Sequence, residues 1–164
     1  MLNGILVEPN STFYSSIEVN RSAQLFKCAA GSKNGDEIVF HGTLDGEYSY
    51  VENEFVGLGV KRAPMFDSKV PMVSLNSILC QASAPLNIDF LSIDVEGYEI
   101  EVLDGIDFSK WKFQVICIEH NYNQAKRLRI HTILKEQGYI NVLECASQFD
   151  SFYVVPEIEK SLLL

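Results

Sequence analysis

Short apolar runs rich in β-branched and aromatic residues alternate along this chain with segments of helical periodicity. That alternation confines it to an α/β architecture. The clearest run, Phe113 to Ile118, is almost wholly apolar, as a central parallel strand must be when both of its faces are covered. Ile88 to Ile93 reads as a second buried strand, and Gly4 to Val7 as a third that ends at Glu8-Pro9. Gln24 to Ala29 and Glu37 to His41 read as extended, and the turn chemistry of Ala30 to Asp36 between them places the two close together. Ile140 to Glu144 and Ser151 to Val155 read as a closing antiparallel pair.

The helical segments carry their own punctuation. Asn10 or Ser11 caps a helix with Phe13 and Ile17 on one face. Ser74 caps another, whose Leu75, Ile78 and Leu79 fall at i, i+3 and i+4, with Pro85 beyond its end. Gly97 to Asp104 reads as a short helix stopped by Gly105, and a later helix turns Ile130, Ile133 and Leu134 inward and stops at Gly138. Gly42 to about Lys69 mixes glycines, polar residues and isolated aromatics and reads as one long irregular loop.

Composition bounds the function. A chain of 164 residues with 47% hydrophobic content can bury the core of a single domain. Its net charge of −9 argues against a nucleic-acid partner, since counterion release needs a basic surface and the thirteen Lys and Arg form no long run. No apolar stretch approaches the roughly 20 residues of a membrane span. Met1 is not followed by a signal-like segment. Cys28, Cys80, Cys117 and Cys145 form no CxxC pair, so neither a zinc site nor a disulfide framework is indicated, and a reduced, cytoplasmic setting fits. His41 and His131 read as solvated, and Lys126, Arg127 and Arg129 as an exposed basic face.

In open parallel sheets ligands bind beyond the carboxyl ends of the strands, which singles out Glu8, then Asp94 and Glu96, then Glu119-His120-Asn121. His120 has the pKa of a general base for an acceptor hydroxyl. Asp94, Glu119 and His120 together offer two carboxylates and an imidazole, a set compatible with Mg²⁺ or another divalent ion. Trp111, Tyr98, Tyr48, Tyr50 and Phe55 are candidates to line an acceptor pocket.

The segment Asp94-Val95-Glu96-Gly97-Tyr98-Glu99, after the run Ile88 to Ile93 and before Leu103-Asp104-Gly105, resembles the D-V-E-G-x-E hallmark of the FkbM family of methyltransferases. Gly4 to Asn10, Val115 to Glu119 and Phe152 to Val155 resemble other strands of that family, so the resemblance covers nearly the whole chain. It implies a doubly wound, mostly parallel sheet of the class I methyltransferase type, and S-adenosylmethionine (SAM) as methyl donor. Glu8 would then hydrogen-bond the ribose hydroxyls, Ala29 and Ala30 would lie near the adenine, and Asp94 would face the methionine end of SAM or the acceptor. The implied reaction is methylation of an oxygen on a small acceptor such as a sugar or polyketide. The pattern departs from the family at its start, where the central first strand and its glycine-rich loop have no counterpart. On this reading Met1 is internal to a longer protein. Two rival readings are a domain that keeps the fold without catalysis and a nucleotide-dependent oxidoreductase, the latter unsupported by Asp94 to Glu99.

Overall fold

The computed structural model describes residues 4–35, 37–43, 50–51, 66–145 and 147–162. Strand β1 (Ile5–Val7) lies parallel to β2 (Gln24–Phe26), with Ile5 opposite Gln24 and Val7 opposite Phe26. A 3-10 turn (Ser11–Phe13) and helix α1 (Tyr14–Asn20) make the crossover between them. The turn starts where the sequence requires it, because the Asn10 side chain accepts from the Thr12 N–H.

A second sheet has the order β3-β6-β4-β5, from β3 (Ala29–Gly31), β4 (Glu37–Gly42), β5 (Tyr50–Val51) and β6 (Phe66–Ser74). This departs from the sequence reading in two places. The extended segment Gln24 to Ala29 is two strands, because Ala29 leaves the partner of Phe26 and pairs with Met72 of β6. The presumed loop from Gly42 to Lys69 runs into a nine-residue strand, in which Phe66, Ser68 and Val70 turn inward and Asp67, Lys69 and Pro71 outward. That strand lies between β3 and β4, so those two strands are neighbours of β6 and not of each other. Tyr48 and Phe55 lie outside the described residues.

The third sheet has the order β7-β8-β10-β9. Strand β7 (Asn87–Ile93) runs parallel to β8 (Lys112–Glu119), while β10 (Asp150–Val154) runs antiparallel to both β8 and β9 (Ile140–Val142). The closing antiparallel pair is therefore as expected. The sheets are small and mixed, where the sequence implied one continuous and mostly parallel sheet. Hydrogen bonding divides them because, among the described residues, β1 and β7 each have a strand on one side only.

Helices α2 (Leu75–Gln81), α3 (Glu99–Asp104) and α4 (Gln124–Glu136) cover one face of the third sheet. Ile78, Leu103, Ile130 and Leu134 share one buried core with Ile116, Ile118 and Tyr153. Full burial of each such aliphatic side chain stabilises by about 1.5–3 kcal/mol. Ile5, Val7 and Phe26 pack against the same core. The opposite face is more open. Phe90 is 56% exposed and Ser92 is exposed, so β7 is a half-covered edge strand and not the buried one that its apolar run implies. Helix α5 (Pro156–Leu162) closes the described chain. No described helix is long and apolar enough to cross a membrane.

Candidate active site

Strand register brings the acidic residues together. Ile93 lies opposite Ile118, and Asp150 lies opposite Glu119, so Asp94, Glu119 and Asp150 occupy one row across the ends of three neighbouring strands. Glu96 and Glu99 act on the same group electrostatically. Lost hydration, with Asp94, Glu96 and Glu99 adding repulsion, pushes the Glu119 carboxyl up to about 8. Asp94 is also raised, first by lost hydration and then by Glu99 and Asp150, with Lys126 opposing. Asp94 stands at the solvent-exposed rim of the row.

Two tight turns hold this row in place. After β7 the backbone takes positive φ at Glu96 (53°) and Gly97 (119°), and the Gly97 N–H donates to Glu99 Oε1 at 3.0 Å. After β8 it does so again at Asn121 (52°) and Tyr122 (57°), a conformation easier for Asn than for Tyr. The His120 and Asn121 N–H groups both donate to the Phe149 carbonyl, at 2.8 and 3.0 Å, which ties this turn to the start of β10. Asn121 Nδ2 donates to Glu119 Oε2 at 3.0 Å, and Asn123 caps α4 by accepting from the Lys126 N–H. Tyr122 and Phe149 stand exposed beside the row with ring centroids 4.7 Å apart.

His120 is 3% exposed. Neither ring nitrogen reaches a partner in hydrogen-bond geometry among the described residues, although the Asp150 backbone lies close enough to favour the protonated ring. Lost hydration and Arg127 outweigh that influence and lower its pKa, which keeps the imidazole neutral at neutral pH. Asp150 and Lys126 act on both His120 and Asp94, but no hydrogen bond joins those two side chains among the described residues. His120 has the strand parity of buried Ile116 and Ile118, whereas Asp94 lies in the row with Glu119.

Glu8 stands at the end of β1, where its Oε1 accepts from the Asn10 N–H at 2.7 Å and lost hydration raises its pKa. Asn10 is itself buried and donates to the Thr43 carbonyl at 3.0 Å, which ties the turn beneath Glu8 to the end of β4. The Tyr14 phenol feels Glu8, Lys27 and Cys28 together, which places Glu8 near the chain that enters Ala29 and Ala30. Ala29 is buried in a second small core with Phe40 and Val70, and Ala30 packs toward the main one.

Several expectations need correction. Lys126 is not part of an exposed basic face, because it is buried and its Nζ lies 2.6 Å from Glu99 Oε2. Trp111 precedes β8 at the amino end of the sheet, buried with its Nε1–H donating to Asn76 Oδ1, so it lines no pocket at the carboxyl ends. His41 pairs with Asp67 at 2.7 Å, and the His131 ring packs near Tyr153. No group of three or more His, Cys, Asp or Glu among the described residues is arranged to hold a metal ion, so the Mg²⁺ expectation finds no support. The Glu99–Lys126 pair was missed because a lysine on a polar helix gives no sign that it will turn inward.

The fold and these groups define a mixed α/β protein with a polar site at its strand ends. Residues 3–140 match the model of the methyltransferase FkbM domain, and the chain belongs to that family of methyltransferases. Comparison with curated proteins and with solved structures returns no match.

Proposed function

We propose that the protein transfers a methyl group from SAM to an oxygen of a small hydroxylated acceptor. The observation that carries this reading is the family match over residues 3–140, which spans Glu8, Ala29, Ala30, Asp94 and His120. The strand order supports it. β2-β1 and β7-β8-β10-β9 would become one class I sheet if a parallel strand lay between β1 and β7, and both edges stand unpaired among the described residues. Side chains of β1 and β7 already pack on one core.

Glu8 suits the ribose, since a carboxylate can accept from both hydroxyls while keeping its bond from Asn10. Ala29 and Ala30 present little bulk toward the adenine. When bound, SAM supplies an electrophilic methyl group for in-line transfer. The chain's own work is positioning, proton removal and exclusion of water. Asp94 orients the acceptor hydroxyl or the ammonium of SAM, and neutral His120 takes the hydroxyl proton. The ring must turn or the turn at Asn121 must shift for that step, because His120 is enclosed and has the strand parity opposite to the row that holds Asp94. The carboxylate row disfavours phosphorylated or carboxylated acceptors, and exposed Tyr122 and Phe149 favour a ring with an apolar face, such as a sugar.

The protein should move a labelled methyl group from SAM to a hydroxylated acceptor in a panel of neutral sugars and polyketides. Glu8→Ala should weaken SAM binding by calorimetry roughly ten- to a hundredfold through the loss of charge-assisted hydrogen bonds. SAM affinity that does not change in this variant would remove Glu8 from the cofactor site.

A further inference from the structure

The pair Glu99–Lys126 has no part in the chemistry above, although the two charges are 0% and 8% exposed and 2.6 Å apart. We propose that Glu99 and Lys126 are positioning residues, which lock the loop carrying Asp94 to the helix that follows His120 so that both sides of the site keep one geometry. The proposal rests on the methyl-transfer reading for what the site does once it is positioned.

The bonds form a continuous path. Glu99 Oε1 accepts from Gly97 N–H and so holds the positive-φ turn between Asp94 and α3. Glu99 Oε2 accepts from Lys126 Nζ. The Lys126 backbone N–H donates to Asn123 Oδ1, and the Asn123 N–H donates to the His120 carbonyl at 2.8 Å. Two loops from different strands, one beginning at Asp94 and the other at His120, are thereby joined through a side-chain ion pair.

Stability alone is a poor reason for this pair, because desolvating two charges costs about as much as their attraction returns, and an apolar pair of similar volume often does as well. A structural role and a positioning role therefore predict different things when both charges are removed. The pair also sits among the groups that ionise. Glu99 of α3, Asp150 of β10 and Lys126 of α4 act on Asp94, while Asp94 in turn acts on Glu119 and Cys117 of β8. Lys126 is the cation that opposes the rise of both Asp94 and Glu119. Removing it while Glu99 stays should make Asp94 hold its proton to higher pH.

The test uses Lys126→Met, Lys126→Arg and the double variant Glu99→Gln/Lys126→Met. Carbon-13 NMR follows the Asp94 carboxyl, alongside the thermal midpoint, SAM affinity and turnover against pH. The double variant should fold with a midpoint close to the parent's and bind SAM as the parent does, yet turn over about tenfold or more slowly. Lys126→Met should raise the Asp94 titration midpoint by about one pH unit, and Lys126→Arg should leave it near the parent's. A double variant that fails to fold, or folds and turns over normally, overturns the proposal, as does an Asp94 titration indifferent to Lys126. If the parent transfers no methyl group, the reading of its function fails, while the titration still decides the role of the pair.

Discussion

Glu119 shows how far an environment can move a residue whose type alone says little. A glutamate at a strand end reads as an ordinary anion, but with its carboxyl pushed up to about 8 it stays protonated in the folded protein at neutral pH. The unfolded chain releases that proton near the usual value of 4.5, so between these two values the folded state binds more protons and stability falls as pH rises. Allowing for partial solvent screening, we expect the thermal midpoint to drop by about 2–4 °C from pH 6.5 to 8.5. Glu119→Gln should flatten that slope in a calorimetric series. His120 carries the opposite sign, since its lowered pKa adds stability as pH rises through about 6.5, so the contrast is cleanest above pH 7. If His120 is the general base, His120→Ala should lower turnover by about a hundred- to ten-thousandfold while barely changing SAM affinity. Activity within a few-fold of the parent's would leave it as a buried packing residue. At this scale the strand-end positions of Glu8, Asp94 and Glu119-His120 were legible, because polar residues after an apolar run mark a strand end. Glu99 and Lys126 were not, since burial of a charge depends on a partner 27 positions away.

At the scale of the element, capping chemistry set several helix boundaries. Asn10, Ser74 and Asn123 each accept from a backbone N–H in the first turn that follows, and Gly138 takes φ 84° just after α4. Strand β6 was hidden because Pro71 and the charged residues at alternate positions mimic a loop, although Phe66, Ser68, Val70 and Met72 keep a period of two. Gly105 does more than end α3. A Cβ at this position would run into the Gly31 carbonyl oxygen, so α3 and β3 meet backbone to backbone there. Gly105→Ala should destabilise the fold by about 1–3 kcal/mol, measured by denaturant unfolding, through the forced separation of these elements. Gly35→Ala, where an added Cβ meets nothing within 4 Å, is the matching control.

At the scale of the whole molecule, β1 and β7 are two of the edge strands, each without a strand on its outer side among the described residues. Exposed Phe90 and Leu86 lie on or beside the second, and an open edge next to apolar surface invites pairing with another chain. The 164-residue chain should therefore self-associate as its concentration rises, by sedimentation analysis. Phe90→Lys should reduce the association without lowering the thermal midpoint, since this side chain stabilises no core. A chain that stays monomeric at all concentrations would show that the edge is protected. The sequence by itself determined the α/β class, most helices, the strands at Ile88 and Phe113, and the family, because periodicity, caps and the Asp94 to Glu99 motif are local patterns. Only the tertiary structure decided that the strands divide into three small mixed sheets, that Ala29 pairs with Met72, and that Asp94, Glu119 and Asp150 stand in one row. Those outcomes depend on which segments meet across long stretches of chain, and a pairing partner far away in sequence leaves no mark on the local pattern of either strand.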